Sequence, residues 1–102
     1  MIHVTVELWM WLGKELGPPF ESPSDMRSVL ETDVEEASTV RELFEDLAKR
    51  FRAVERKVFR NRGFAPYVAM IINDRSTSAA DACDRVLVDG DKVVVLPAYV
   101  GG

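Results

Sequence analysis

Val86-Leu-Val-Asp-Gly-Asp-Lys-Val-Val-Val-Leu-Pro-Ala-Tyr-Val-Gly-Gly102 is the stretch on which the reading of this chain turns. Asp89-Gly90-Asp91 is a turn signal, because Gly takes positive φ without a steric penalty and Asp hydrogen-bonds its own backbone. Lys92 to Leu96 is a short β-branched run with the length of a central strand. Pro97 has no N–H to give a ladder, so pairing is expected to stop there. Ala98-Tyr99-Val100 and two glycines follow. With Gly at about 7% of residues, a Gly-Gly end arises by chance in roughly one chain in 200. A frayed terminus is the plain reading, and it leaves the ordered run before it unexplained.

Outward from this stretch, the chain reads as strands, a helix, then strands. Ile2, Val4, Val6, Leu8, Met10 and Leu12 alternate with His3, Thr5 and Glu7, so a strand with its even face on the core is expected. Trp9 and Trp11 fall on the odd face. They form an aromatic partner patch or are covered by the loop that follows, and the second is the preferred reading. His3 is expected on the solvent side, with no metal-ligand spacing around it. Gly17 to Ser24 is a loop by composition, with three of the five prolines. Val29 to Ala37 is expected as a weaker strand antiparallel to the first, its acids suiting an edge.

Thr39 and Glu42 have the spacing of a capping box. Val40, Leu43, Phe44, Leu47, Ala48 and Phe51 then make one apolar stripe, so this helix should supply most of the core. Arg50 to Arg62 holds six bases and one acid, whereas residues 7–46 hold eleven acids and three bases. An amphipathic helix end with a solvated basic side is the expectation for this cluster. Pro66 to Ile72 is a nearly continuous apolar strand, read as covered on both faces, with Asn73-Asp74 as its turn. Ser76 to Cys83 is a short strand or connector, and Leu87 returns to the core.

Composition closes off several classes. The chain has 102 residues, 47% hydrophobic and 29% charged, which describes one folded domain, and its strands, helix and further strands make that domain α+β. A net charge of −4 argues against nucleic-acid binding. The single Cys83 excludes an internal disulfide and a cysteine metal site, fits a reducing cytoplasm, and is expected to be a packing residue rather than a sulfur relay. Met1 to Glu7 is not expected to be part of a signal peptide, having no basic region followed by a continuous apolar stretch, and no apolar run approaches the length needed to span a membrane. No Ser/His/Asp set, Cys/His pair, P-loop or metal motif is present.

The pattern Asp84-x-x-Leu87-x-Asp89-Gly90-Asp91-x-Val93-x-x-x-Pro97-x-x-x-Gly101-Gly102 resembles the C-terminus of the small sulfur carriers related to MoaD and ThiS. Lys14-Glu15-Leu16-Gly17 and Ile72-Asn73 resemble further steps of the same family. The resemblance implies a ubiquitin-like β-grasp fold: a mixed sheet of four to five strands on one main helix, first and last strands parallel in its middle. It implies a single domain over 1–102, a mobile tail at 98–102 and a loop insertion near 17–28. It also implies that the Gly102 carboxylate is adenylated by a ubiquitin-activating-type enzyme (MoeB- or ThiF-like) and becomes a thiocarboxylate that donates sulfur. ATP is used by that enzyme, and the carrier binds no cofactor. Gly101, Val100 and Tyr99 would thread the enzyme cleft, where a side chain would clash. Leu96, with Trp9 and Trp11, would form the partner contact.

Length and Pro97 resemble the molybdopterin branch, whose acceptor is the large subunit of molybdopterin synthase. Three alternatives stay open. One is a carrier for thiamine thiazole or cysteine synthesis, another a ubiquitin-like modifier joined to lysines through Gly102. The third is a binding module with inert glycines.

Overall fold

The computed structural model describes residues 1–9, 13–24 and 26–97. Strand β1 (Ile2–Leu8) is followed by a one-turn helix α1 (Gly13–Leu16), then β2 (Glu21–Ser24) and β3 (Arg27–Val34). Helices α2 (Val40–Arg50) and α3 (Arg52–Lys57) lead into a small hairpin, β4 (Phe59–Arg60) with β5 (Gly63–Phe64). The chain then runs through β6 (Val68–Ile72), β7 (Arg75–Ser78), α4 (Ala79–Ala82) and β8 (Lys92–Pro97). The main sheet has the order β2-β3-β1-β8-β6-β7.

β8 lies between β1, to which it runs parallel, and β6, to which it runs antiparallel. The last strand is therefore central, as the β-branched run Val93-Val94-Val95 foretells. Val4, Val6 and Leu8 are fully buried, so the even face of β1 is the core face. Against it pack Val40, Leu43, Phe44 and Leu47 of α2, whose stripe is the expected one. Thr39 and Glu42 form the reciprocal capping box. Phe44, Phe59 and Phe64 close one end of the core, with Phe44–Phe64 and Phe59–Phe64 centroids 4.9 and 4.8 Å apart.

Several expectations are corrected. Among the described residues the main sheet has six strands, where four to five are expected. The proline-rich loop contributes β2, and Phe20 beside it packs edge-on to Phe51 with centroids 4.8 Å apart. An apolar anchor inside a polar stretch is what pins this insertion. β3 is consequently not an edge along its whole length. Its Arg27 and Val29 pair with Ser24 and Glu21 of β2, so only the half bearing Glu31 and Asp33 stays open, and that is where its acids stand. β1 ends at Leu8; Met10 and Leu12, expected to prolong it, lie outside the described residues. Lys14 to Leu16 belong to a helical turn, closed by Gly17 at φ 66°. β6 alternates buried and half-buried positions, so only one of its faces is sealed. The basic cluster runs from the last residue of α2 through α3 into the β4–β5 hairpin rather than lying on one helix end. There Arg56 and Lys57 pair with Glu15, and Arg62 with Glu45 at 3.4 Å.

Candidate functional site

The expected site begins where β8 leaves the sheet, and its seat is built from the turn before it. Gly90 takes φ 88°, a conformation that favours glycine. Its N–H donates to His3 O at 2.8 Å, while Asp89 Oδ1 accepts from His3 N at 2.7 Å. Asp91 is buried, and its carboxylate accepts from Asn73 Nδ2 at 2.7 Å and Val88 N at 2.9 Å. Asn73 Oδ1 in turn accepts from Lys92 N at 2.9 Å. Asn73 and Asp74 both have positive φ, the geometry of a tight hairpin turn of primed type. The Asp89 carboxylate and Gly90 N–H thus fasten the turn before β8 to β1, and the Asp91 carboxylate and Asn73 amide fasten it to the β6–β7 hairpin.

The helices cover one face of the sheet. On the opposite face, register sets Glu7 of β1 beside Val94 of β8, and Val94 beside Ile71 of β6. One step along, Leu96 pairs with Ala69 and is half-buried. Trp9 follows β1 and donates its backbone N–H to Val95 O at 2.8 Å, which prolongs the parallel ladder. Trp9 is 39% exposed, so the loop does not bury it and its ring belongs to this open face.

Glu7 is the residue that sequence reasoning missed. Read as a solvent-side position, it is 2% exposed. Its Oε1 accepts from Arg27 Nε at 2.7 Å and Trp9 Nε1 at 2.9 Å, and its Oε2 lies 3.0 Å from Lys92 Nζ. The Arg27 hydrogen bond, helped by Trp9 and Lys92, holds the Glu7 carboxyl down at about 2. The only sequence signal was an acid two residues from a tryptophan on one strand face. Arg27 and Lys92 reach it across strands, which a single sequence does not reveal.

His3 is on the solvent side as expected, with Nδ1 2.9 Å from Asp33 and Nε2 3.1 Å from Glu31. Cys83 is buried and its thiol is pushed up by that burial, as suits a packing residue. Among the described residues no group of three or more His, Cys, Asp or Glu is placed to hold a metal ion. Nor is any helix there long and apolar enough to cross a membrane. Trp11, Tyr99, Val100, Gly101 and Gly102 lie outside the described residues.

A mixed sheet with its last strand parallel to its first, packed on one main helix, is the ubiquitin-like β-grasp. Comparison with known proteins agrees. The ThiS family model matches residues 20–102, and the chain belongs to that family of ubiquitin-like sulfur carriers and modifiers. Among solved structures, small archaeal modifier protein 1 from Haloferax volcanii is similar at 19% identity and TM-score 0.70, over 98% of this chain and 99% of that one. A putative molybdopterin converting factor subunit 1 from Pyrococcus furiosus is 26% identical with TM-score 0.66, over 97% of this chain and 100% of that one. Urm1 from Trypanosoma brucei gives 17% identity and TM-score 0.69, over 98% and 95%. No curated protein sequence matches the chain.

Proposed function

We propose that this chain is a sulfur carrier whose Gly102 carboxylate is the working group, serving molybdopterin synthesis. The carboxylate oxygen attacks the α-phosphate of ATP in the active site of an adenylating enzyme, and pyrophosphate leaves. Sulfur at the sulfide level, as hydrosulfide, then attacks the acyl adenylate, AMP leaves, and the thiocarboxylate that results is consumed by an acceptor enzyme such as the large subunit of molybdopterin synthase. The observation that carries this reading is the seat of β8. A rigid central strand, clamped at Asp91 and Asn73, runs to Pro97 and precedes a stretch ending in two glycines. Such a mount delivers a carboxylate accurately, and a misplacement of about 1 Å can cost on the order of a hundredfold in rate. Leu96 and Trp9, on the face clear of the helices, supply the partner contact. Trp11 is assigned to it by its odd position in the sequence, and Tyr99, Val100 and Gly101 thread the cleft.

The 26% identity to a protein described as a putative molybdopterin converting factor supports the molybdopterin branch. Modifier proteins share the fold, and the family match supports conjugation of Gly102 to lysines equally. One experiment separates the readings. With the cognate adenylating enzyme, ATP and a sulfur donor, intact-mass analysis should show one oxygen replaced by sulfur. Gly102→Ala should block ATP–pyrophosphate exchange, and one added C-terminal residue should block it more completely. Exchange that persists with the extended chain removes Gly102 from the reaction. Lysines bearing this chain's C-terminus in a cell digest, with no thiocarboxylate formed, establish the modifier instead.

A further inference from the structure

Glu7 poses a physical question that the proposed chemistry does not answer. An ionised carboxylate is buried on the sheet face that the helices leave open, where a solvated position was available. Burying a charge is favourable only when its hydrogen bonds are fully met. Here all three donors are met on a single centre, and each is itself only partly covered. Trp9 is 39% exposed, and the Arg27 and Lys92 side chains are 46% and 47% exposed. Glu7 therefore holds an indole and two cations in fixed relation while remaining hidden beneath them.

Two consequences follow for anything that docks on this face. The indole N–H is already used by Glu7, so the exposed part of the Trp9 ring needs no acceptor from a partner. A ring fixed beforehand also loses little side-chain freedom on docking, and Trp and Arg are the residue types that dominate interface energies. One carboxylate faces two cations, which leaves the cluster net positive. Leu96 continues the same face towards Pro97.

We infer that Glu7, Trp9, Arg27 and Lys92 form a preset anchor for the adenylating enzyme. The enzyme's matching pocket has an apolar floor for the Trp9 ring, no acceptor for its N–H, and carboxylates at its rim. This rests on the reading of the chain as a substrate of such an enzyme. Glu7 acts in it as a positioning residue.

The test uses the full chain with the adenylating enzyme of the same organism, and Trp11→Phe serves only to assign the two indole signals. Trp9→Ala should weaken binding at least tenfold, seen as a raised KM with unchanged kcat in ATP–pyrophosphate exchange. Trp9→Phe, which keeps a ring without the N–H, should stay within about twofold. Added salt should weaken binding of the parent chain. Hydrogen exchange at the Trp9 indole should be slow in the parent and at least tenfold faster in Glu7→Leu. If Glu7→Leu does not fold, Glu7→Gln keeps an acceptor and should retain slow exchange. A Trp9→Phe loss as large as that of Trp9→Ala means that the enzyme itself takes the N–H, and an unchanged Trp9→Ala means that docking lies elsewhere. Either result overturns the anchor, as does rapid indole exchange in the parent. Absence of any exchange activity with the parent chain would instead remove the carrier reading, and the indole measurement still stands on its own.

Discussion

Glu7 makes acid sensitivity a property of a single side chain. Its folded-state value of about 2 lies below its ordinary 4.5, so it stabilises the fold at every pH above 4.5. That contribution, up to about 3 kcal/mol at full strength, disappears as the pH falls from 4.5 towards 2. Urea denaturation of the parent and of Glu7→Gln should therefore differ most near neutrality and converge towards pH 2. A constant gap across that range would show that charge is not what matters at this position. His3 works in the opposite direction. Hydrogen bonding to Asp33, then to Glu31, raises its pKa above the ordinary 6.5. Its protonated form thus favours the fold below 6.5, and that gain is lost as the pH rises through the raised value. In His3→Gln the small alkaline-side loss should vanish, which a titration of the melting temperature from pH 6 to 9 would reveal.

Among the elements, α2 is the one whose sequence states its structure most fully. A capping box, a single apolar stripe and Lys49 and Arg50 in the last turn all agree. Phe44 is fully buried between the sheet and the Phe59–Phe64 pair, so Phe44→Ala should cost about 3–5 kcal/mol in chemical denaturation. Thr39→Ala removes one cap and should cost only about 1 kcal/mol. β8 was equally legible, since a β-branched run between a turn and a proline has few other uses. β2 was not. Its residues Glu21-Ser22-Pro23-Ser24 carry no alternation, and the strand exists because Phe20 is pinned on Phe51, a contact between distant parts of the chain. The β4–β5 hairpin escaped for a similar reason, as its turn uses Asn61 and Arg62 at positive φ rather than a glycine.

At the scale of the whole molecule, the sheet and helices of the described residues already enclose an apolar core. Among the described residues the last member of the apolar cluster is Val95, and the pairing of β8 ends at Pro97. Removing Val100 to Gly102 should therefore leave the melting temperature within about 1 °C of the parent while abolishing activation by the adenylating enzyme, since a loss of 1 kcal/mol would already shift it by several degrees. A large drop on deletion would give the tail a structural role. The site itself was half legible. Its apolar members and terminal glycines stand out in the sequence because their types and places are unusual there. The charge network that fixes Trp9 does not, because Glu7, Arg27 and Lys92 meet only once three strands have paired.

The parallel contact of β1 with β8 also governs how the chain comes into being. His3 and Asp89, 86 residues apart, are joined directly, and nothing local can substitute for that union. During synthesis the amino-terminal part emerges first, yet the middle of its sheet is still missing. Until Lys92 to Leu96 arrive, β1 and β6 present unpaired strand edges, which are sticky by nature. Closure is thus a late event with a high loop-entropy barrier. A chain cut short before β8 has no native state to reach, so cells would be expected to clear it rather than use it. Acquisition of the fold must therefore wait until β8 has been made.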